Sequence, residues 1–199
     1  MVFTLSSHAP YDQPMEKVLD WGGNENEFIN SAYYTDLQLG NYFREARKKP
    51  WFNNTLFIII ADHSHNSYRN WPLENFNYHR IPMLILGPAV RQDLWHTTVD
   101  RISANNDLPK TILNQLGLPS DSFKWSKDLM NPYSKEFAYF ELHYGFGWKR
   151  PSGTFVYSWD WDHYYQKDID TTLNKDAEQK LILEGRAFLQ VLFQEFIDM

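Results

Sequence analysis

Residues 55–63 read Thr55-Leu56-Phe57-Ile58-Ile59-Ile60-Ala61-Asp62-His63, an apolar, β-branched run of strand length that ends in a carboxylate and an imidazole. A continuous apolar run of this length is typical of a strand buried on both faces, as in a parallel sheet covered by helices. In open α/β sheets, ligands bind outside the carboxyl ends of the strands. Asp62 and His63 are therefore the first candidates for a functional site.

The elements on either side of this strand alternate between strand and helix. Short apolar runs predict strands at residues 2–6 and 81–86. A capping-box spacing between Asn24 and Glu27 starts a long helix, and residues 107–116 form a second, shorter one. This order predicts an α/β fold with a partial doubly wound, mostly parallel sheet flanked by helices.

The last third of the chain has a different composition. Residues 137–142 and 154–158 are typical of strands in a small antiparallel meander, and residues 176–197 form an amphipathic terminal helix. Aromatic residues make up 17% of the whole chain. Such a set suits either a heavily packed core or a wall that stacks against flat or sugar-like groups.

Composition narrows the function classes. The 199 residues carry a net charge of −6, with 43% hydrophobic and 22% charged residues, which is the balance of a globular domain rather than a disordered chain. The acidic balance argues against a nucleic-acid partner. The absence of cysteine excludes disulfides, thiolate metal sites and cysteine nucleophiles. The longest apolar run is far shorter than the roughly 18 residues of a membrane span.

Two interpretations of the strand-end pair stay open on spacing alone. A carboxylate beside an imidazole suits Zn²⁺ or Mn²⁺, and a metal there could polarise a phosphoryl or sulfuryl oxygen. The same residues also occur in turns where the carboxylate caps main-chain amides. Asp62 and His63 are moreover only two ligands, whereas a catalytic site usually has at least three from the protein.

Five stretches of the chain, taken in order, resemble the carboxyl-terminal half of the sulfatase-like branch of the alkaline phosphatase superfamily. Within that branch the chain is most similar to the lipoteichoic acid synthase-like phosphoglycerol transferases, followed by phosphoethanolamine transferases. The stretches are SSHAPY at 6–11, NSAYYTDLQLG at 30–40, NTLFIIIADH at 54–63, RIPMLILGP at 80–88 and NDLPKTIL at 106–113.

The resemblance implies roles for several histidines. Asp62 and His63 match the metal pair of the family, with Mn, Zn, Mg or Ca as the divalent ion. His8 matches a histidine that contacts the phosphoryl group of the substrate. His65 lies next to the position where the family usually has a glycine, and we assign it to substrate binding. His79, just before the strand at 81–86, is a further substrate-binding candidate, with a plain loop histidine as the alternative.

The resemblance also implies what lies outside these residues. The family attacks a phosphate or sulfate ester with a threonine, or with a formylglycine in true sulfatases, through a covalent intermediate. We find no catalytic nucleophile in this chain and expect it upstream of Met1, so the isolated chain should be inactive. Residues 1–118 would be part of the sulfatase-like catalytic domain, with 119–199 packed on the same domain. The family further implies an ester substrate on lipid or glycan and an extracytoplasmic, membrane-associated parent protein.

Two rival functions remain at this stage. Within the fold, a plain hydrolase differs from a transferase only in its acceptor, which these residues do not reveal. From another class, the chain could be a non-catalytic module that binds glycan or protein through its aromatic tail. In either case a partial sheet has an exposed edge, and we predict self-association through it.

Overall fold

The computed structural model describes residues 1–23, 25–66, 71–170, 172 and 175–199. It divides into two units, the first made of residues 1–60 and 83–96 and the second of residues 61–82 and 97–199. The helices and strands, in chain order, are α1 (Asn26–Ala46), β1 (Phe57–Ile60), β2 (Met83–Leu86), α2 (Leu108–Gln115), β3 (Ala138–Leu142), β4 (Gly145–Arg150), β5 (Gly153–Ser158), β6 (His163–Ile169) and α3 (Lys175–Ile197).

The first unit contains α1 and the two antiparallel strands β1 and β2. The side chain of Asn30, fully buried in α1, accepts hydrogen bonds from the main-chain amides of Val18 and Leu19 at 2.8 and 3.0 Å. It also donates to the Leu19 carbonyl at 2.8 Å, which fixes the chain ahead of the helix. The ring of Phe57 packs against Phe43 of α1 with 5.0 Å between centroids. These contacts hold β1 against the helix.

The first unit differs from the sequence-based prediction in three details. β1 and β2 pair antiparallel, with Ile58 opposite Ile85, whereas the apolar run suggested a parallel sheet. β1 is half-buried and Leu84 of β2 is 59% exposed, because only these two strands form the sheet among the described residues. Residues 2–5 have no regular secondary structure, and a turn closes there with the His8 amide on the Leu5 carbonyl at 3.0 Å. The predicted cap Asn24 lies outside the described residues.

The second unit is built on the four-stranded antiparallel sheet β3-β4-β5-β6. One face of this sheet packs against α3 through a core of Phe146, Trp148, Phe155 and Leu181. Gly185 lets the helix approach closely, since a Cβ there would lie 2.7 Å from the Phe155 ring. Eight aromatic residues of the tail belong to this core or pack against it, so packing accounts for a large share of the aromatic composition. No described helix is both long and apolar enough to cross a membrane.

The opposite face of the sheet is covered by the segment around the short 3₁₀ turn Phe76–His79. The Phe76 amide donates a 2.7 Å hydrogen bond to the side chain of Gln166 on β6. The Phe76 ring lies 5.5 Å from Phe140 of β3. Gly147 leaves room for that ring, because a Cβ at Gly147 would overlap Phe140. The segment that follows Asp62 and His63 is therefore anchored on the meander.

A buried ion pair fixes the start of α2. The side chain of Asp107 is completely buried and accepts 2.7 Å and 2.9 Å hydrogen bonds from the Lys127 ammonium and the Ala104 amide. Its other oxygen accepts from the Lys127 amide at 2.8 Å. The Lys127 ammonium also lies 3.8 Å from the centroid of the Phe137 ring. Burial lowers the pKa of Lys127, and the Asp107 carboxylate opposes that effect.

Candidate functional site

Asp62 and His63 lie just past the end of β1 in an exposed bend. The Nε2 atom of His63 is 3.7 Å from Oδ2 of Asp62, while Oδ1 of Asp62 accepts a 2.9 Å hydrogen bond from the His63 amide. Nδ1 of His63 donates to the Ser64 carbonyl at 2.8 Å. This bond selects the tautomer that leaves a lone pair on Nε2, on the side of the Asp62 carboxylate.

The pair fits one part of a divalent metal site. A metal-bound histidine usually donates its second ring N–H to a carbonyl or carboxylate, as His63 does to Ser64. Two ligands of one tetrahedral ion, each ~2.1 Å from it, are ~3.4 Å apart, close to the separation found here. Side chains of both residues are about 70% exposed, so an ion could reach them. The described residues contain no group of three potential ligands, so the pair is an incomplete ligand set.

Asn105 holds this bend from behind. Its side-chain amide donates a 3.1 Å hydrogen bond to the main-chain carbonyl of Asp62. Asn105 begins the 3₁₀ turn Asn105–Asp107, so the ion pair between Asp107 and Lys127 fixes the turn that carries it. The sequence placed Asp107 at the start of the second helix, which the structure confirms, but it gave no role to Asn105. The only signal in the sequence was position: Asp107 lies within the motif at 106–113, and Asn105 directly precedes that motif.

His8 lies in the first unit, in an exposed turn. Its Nδ1 donates to the Ala9 carbonyl at 2.7 Å, and within the described residues its Nε2 has no protein partner. The preceding Ser7 hydroxyl is 3.2 Å from the hydroxyl of Thr35 on α1, which ties the turn to the helix. His8 thus has one free ring nitrogen, which can donate to an anionic oxygen when the ring is protonated.

The two remaining histidine candidates lie in the second unit and differ in environment. His65 is half-buried, two residues beyond His63. His79 stacks on Phe140, with 3.5 Å between centroids, and its Nε2 donates to the Leu73 carbonyl at 2.9 Å. Burial lowers the pKa of His79, and the hydrogen bond to Leu73 works against it. These contacts give His79 a packing role, while substrate contact by either histidine stays a prediction.

Comparison with known proteins gives three concordant matches. Residues 1–118 match the family model described as Sulfatase. Lipoteichoic acid synthase 1 from Bacillus subtilis (strain 168) is 23% identical over 61% of this chain and 21% of its own length. A solved structure of a protein in the alkaline phosphatase superfamily from Vibrio parahaemolyticus is 25% identical, with a TM-score of 0.66. That match covers 95% of this chain and 48% of the solved chain.

These matches confirm the α/β fold class and the resemblance drawn from the five motifs. The chain spans about half the length of the solved structure and about a fifth of the synthase. The superfamily is generally metal-dependent, which agrees with the chemistry of the Asp62 and His63 pair. Because the family model covers more than half of the residues, the chain belongs to the sulfatase family within the alkaline phosphatase superfamily.

Proposed function

We propose that this chain supplies part of the active site of a metal-dependent enzyme that cleaves or transfers phosphate or sulfate esters. The observation that carries the proposal is the Asp62 and His63 pair, with Nε2 3.7 Å from Oδ2 and the other ring nitrogen held by the Ser64 carbonyl. A divalent ion held by this pair would act as a Lewis acid on a phosphoryl or sulfuryl oxygen. Membership of the sulfatase family supports this reaction class.

The residues of this chain have separate tasks in the proposed reaction. Asp62 and His63 bind the ion, and Ser64 keeps the His63 ring in the required tautomer. A protonated His8 donates from its free Nε2 to an oxygen of the transferred group, whereas a neutral His8 accepts a hydrogen bond there from a protonated oxygen. His65 and His79 are proposed as further substrate contacts. The division of the chain after residue 118 likewise stays a prediction.

The proposed nucleophile is a threonine that is not among these 199 residues. It would attack the phosphorus or sulfur atom, form a covalent ester and release the alcohol, and an acceptor hydroxyl or water would then take over the group. We expect no turnover from the isolated chain, because two ligands and no nucleophile make only part of a site.

The proposed substrate is an ester on a lipid or glycan, handled outside the cytoplasm by a membrane-associated parent protein. The similarity to a lipoteichoic acid synthase supports this choice and favours the phosphoglycerol transferase type. A sulfatase or phosphodiesterase would differ by using water as the acceptor. Product analysis with and without a hydroxylated acceptor separates the two.

Metal binding by the isolated chain is the first test of the proposal. Titration with Mn²⁺, followed by electron paramagnetic resonance, should show weak binding that Asp62→Asn or His63→Gln each weakens at least about tenfold, because half of the protein ligands are lost. Asp160→Asn and His143→Gln, which remove an exposed carboxylate and an exposed imidazole elsewhere, should leave it unchanged. Equal affinities for all four variants would contradict the metal assignment.

Turnover must be measured on a longer protein that also contains the amino-terminal half of the fold. There, Asp62→Asn should abolish metal-dependent release of p-nitrophenol from a p-nitrophenyl phosphate diester. If neither the parent nor the variant turns over any ester and both bind glycan equally well, the chain is a non-catalytic binding module instead.

A further inference from the structure

A cavity of about 320 Å³ lies in the second unit, beside the turn that joins β4 to β5. Its lining includes Phe76 and Asn77 from the 3₁₀ turn, and Lys149, Thr154, Gln166 and Asp168 from the sheet. The volume is at the lower end of the range for small-molecule sites. Neither Asp62 nor His63 lines this cavity, so the proposed metal site does not account for it.

The sheet presents three polar side chains in one row along a wall of this cavity. Lys149 of β4 is directly opposite Thr154 of β5, and Thr154 is directly opposite Asp168 of β6. Because side chains in register on neighbouring strands lie on the same face, the row offers a cationic donor, a hydroxyl and an anionic acceptor, ~4.8 Å apart from strand to strand.

Lys149 keeps unused hydrogen-bonding capacity in this row. Its ammonium donates a 2.9 Å hydrogen bond to the Thr154 hydroxyl and lies 5.2 Å from the centroid of the Phe76 ring. Within the described part of the chain it forms no ion pair, although the residue is half-buried. An ammonium carries three N–H donors, so two remain for a ligand or for water. A half-buried cation in this state gains from any acceptor brought into the cavity.

Asp168, at the other end of the row, also has unused hydrogen-bonding capacity. The Asp168 carboxylate accepts one hydrogen bond from the Gln166 amide and is otherwise exposed. A carboxylate has about four lone-pair sites, so most remain open. The lining also contains Arg150 and Asp170, so its two positive and two negative side chains cancel in formal charge. The cavity therefore favours neither an anion nor a cation, but a neutral group that both donates and accepts hydrogen bonds.

We propose that this cavity binds a polyhydroxyl group, such as a glycerol or sugar unit. One hydroxyl can accept from the Lys149 ammonium and another, further along the row, can donate to the Asp168 carboxylate, while the Phe76 ring faces the C–H groups. The inference rests on the proposed function, because the cavity would then hold the hydroxylated portion of the ester substrate or of the acceptor. It adds a binding site for the carrier, separate from the residues proposed to bind the ion.

The test is a titration of the 199-residue chain, isotopically labelled and kept in EDTA, monitored by amide NMR shifts. The probes are glycerol, methyl glucoside and inorganic phosphate. Glycerol or the glucoside should move the amide signals of Lys149, Thr154 and Asp168, with saturation in the millimolar range, and the stronger of the two identifies the source of the hydroxyl groups. No saturable shift with either, or the same shifts with phosphate alone, would overturn the proposal.

Variants locate the binding and protect the test against misfolding. Lys149→Met and Asp168→Asn should each weaken the polyol affinity about tenfold, the usual effect of losing one charged hydrogen bond. Lys135→Met and Asp160→Asn, at exposed positions elsewhere, should not. Should Lys149→Met lose its native spectrum, Asp168→Asn alone decides, and an unchanged affinity there refutes the site.

The outcome is independent of the ion and of turnover. Because EDTA removes divalent metals, failure of polyol binding would leave the Mn²⁺ titration of Asp62 and His63 untouched. Conversely, if polyol binds and Asp62→Asn leaves the Mn²⁺ affinity unchanged, the proposed polyol site stands and the proposed metal site is refuted.

Discussion

The side-chain amide of Asn105 donates a 3.1 Å hydrogen bond to the main-chain carbonyl of Asp62. At the other end of the same short turn, the Asp107 carboxylate is completely buried against Lys127. The exposed bend that carries the proposed metal ligands is thus tied, through one amide, to an interior ion pair. Positioning of the ligands depends on residues that never touch the ion.

Asn105→Ala should weaken Mn²⁺ binding without unfolding the chain. The variant loses one hydrogen bond, worth about 1 kcal/mol of stability, and releases the carbonyl that fixes Asp62. Asn106→Ala is the matched control, because Asn106 donates a 2.8 Å hydrogen bond to a different carbonyl, that of Trp125. Both should lower the urea midpoint similarly, and only Asn105→Ala should change the Mn²⁺ titration. Parallel effects of the two on Mn²⁺ would reject the positioning role.

Asp107→Ala should destabilise the second unit by about 3–5 kcal/mol, because it leaves the half-buried Lys127 ammonium without its partner. Urea unfolding, monitored by tryptophan fluorescence, measures the loss. Adding Lys127→Met to the same chain should recover part of it, since the unpaired charge is then removed. A loss below about 1 kcal/mol in the single variant would mean that water reaches the ammonium freely.

Two helix glycines should respond in opposite directions to alanine. Gly40→Ala in α1 meets nothing within 4 Å and should stabilise the chain by about 0.5–1 kcal/mol through helix propensity. Gly185→Ala in α3 gains the same propensity but places Cβ 2.7 Å from Phe155 and 2.9 Å from Trp148. Overpacking of this kind costs about 1–3 kcal/mol, so the net effect should be a loss. Thermal melts that rise for both variants would show that α3 shifts easily on the sheet.

His79 should make stability depend on mildly acidic pH. Burial lowers its pKa below the ordinary value of 6.5, so the unfolded chain takes up the proton first as the pH falls. Its contribution is complete above pH 6.5 and is lost as the pH falls from there towards the lower folded pKa. His79→Phe, which keeps a ring on Phe140, should flatten this part of the profile. His143→Gln should retain the parent slope, and a parent profile that is already flat would refute the burial effect.

Self-association should occur through the open sheet of the first unit. Only β1 and β2 form this sheet among the described residues, and Leu84 on β2 is 59% exposed. Leu84→Lys should therefore shift sedimentation towards the monomer, because a charged side chain on an exposed strand opposes its association with a second chain. Leu183→Lys on α3, at a position 64% exposed, is the control and should have no effect. A parent chain that stays monomeric at high concentration would count against the prediction.

Local patterns in the sequence predicted several elements closely. The helices α2 and α3 and the strands β3 and β5 each begin and end within one residue of their predicted positions. No strand was predicted at β4 or at β6. In the structure, Gly147 lies within β4 to make room for the Phe140 ring. The antiparallel pairing of β1 and β2 was also not predicted, because an apolar run indicates that a strand is buried but not whether its partner runs parallel or antiparallel.

The candidate site was predictable only at its exposed end. Asp62 and His63 follow a strand, a position that the sequence shows directly. Asn105 acts on Asp62 from 43 residues away, and such a contact leaves no local pattern. The stacking of His79 on Phe140 joins residues far apart in the chain, so no local pattern in the sequence indicates it.

The hydrogen bond from the Phe76 amide to Gln166 joins residues 90 positions apart. On the ribosome, Asp62 and His63 emerge together with Phe76, well before β6 exists. At about 5–20 residues per second, the nascent chain waits roughly 5–18 s for the strand on which this segment docks. Translation past residue 166 is therefore the earliest moment at which the loop carrying the proposed metal ligands can reach its final anchorage.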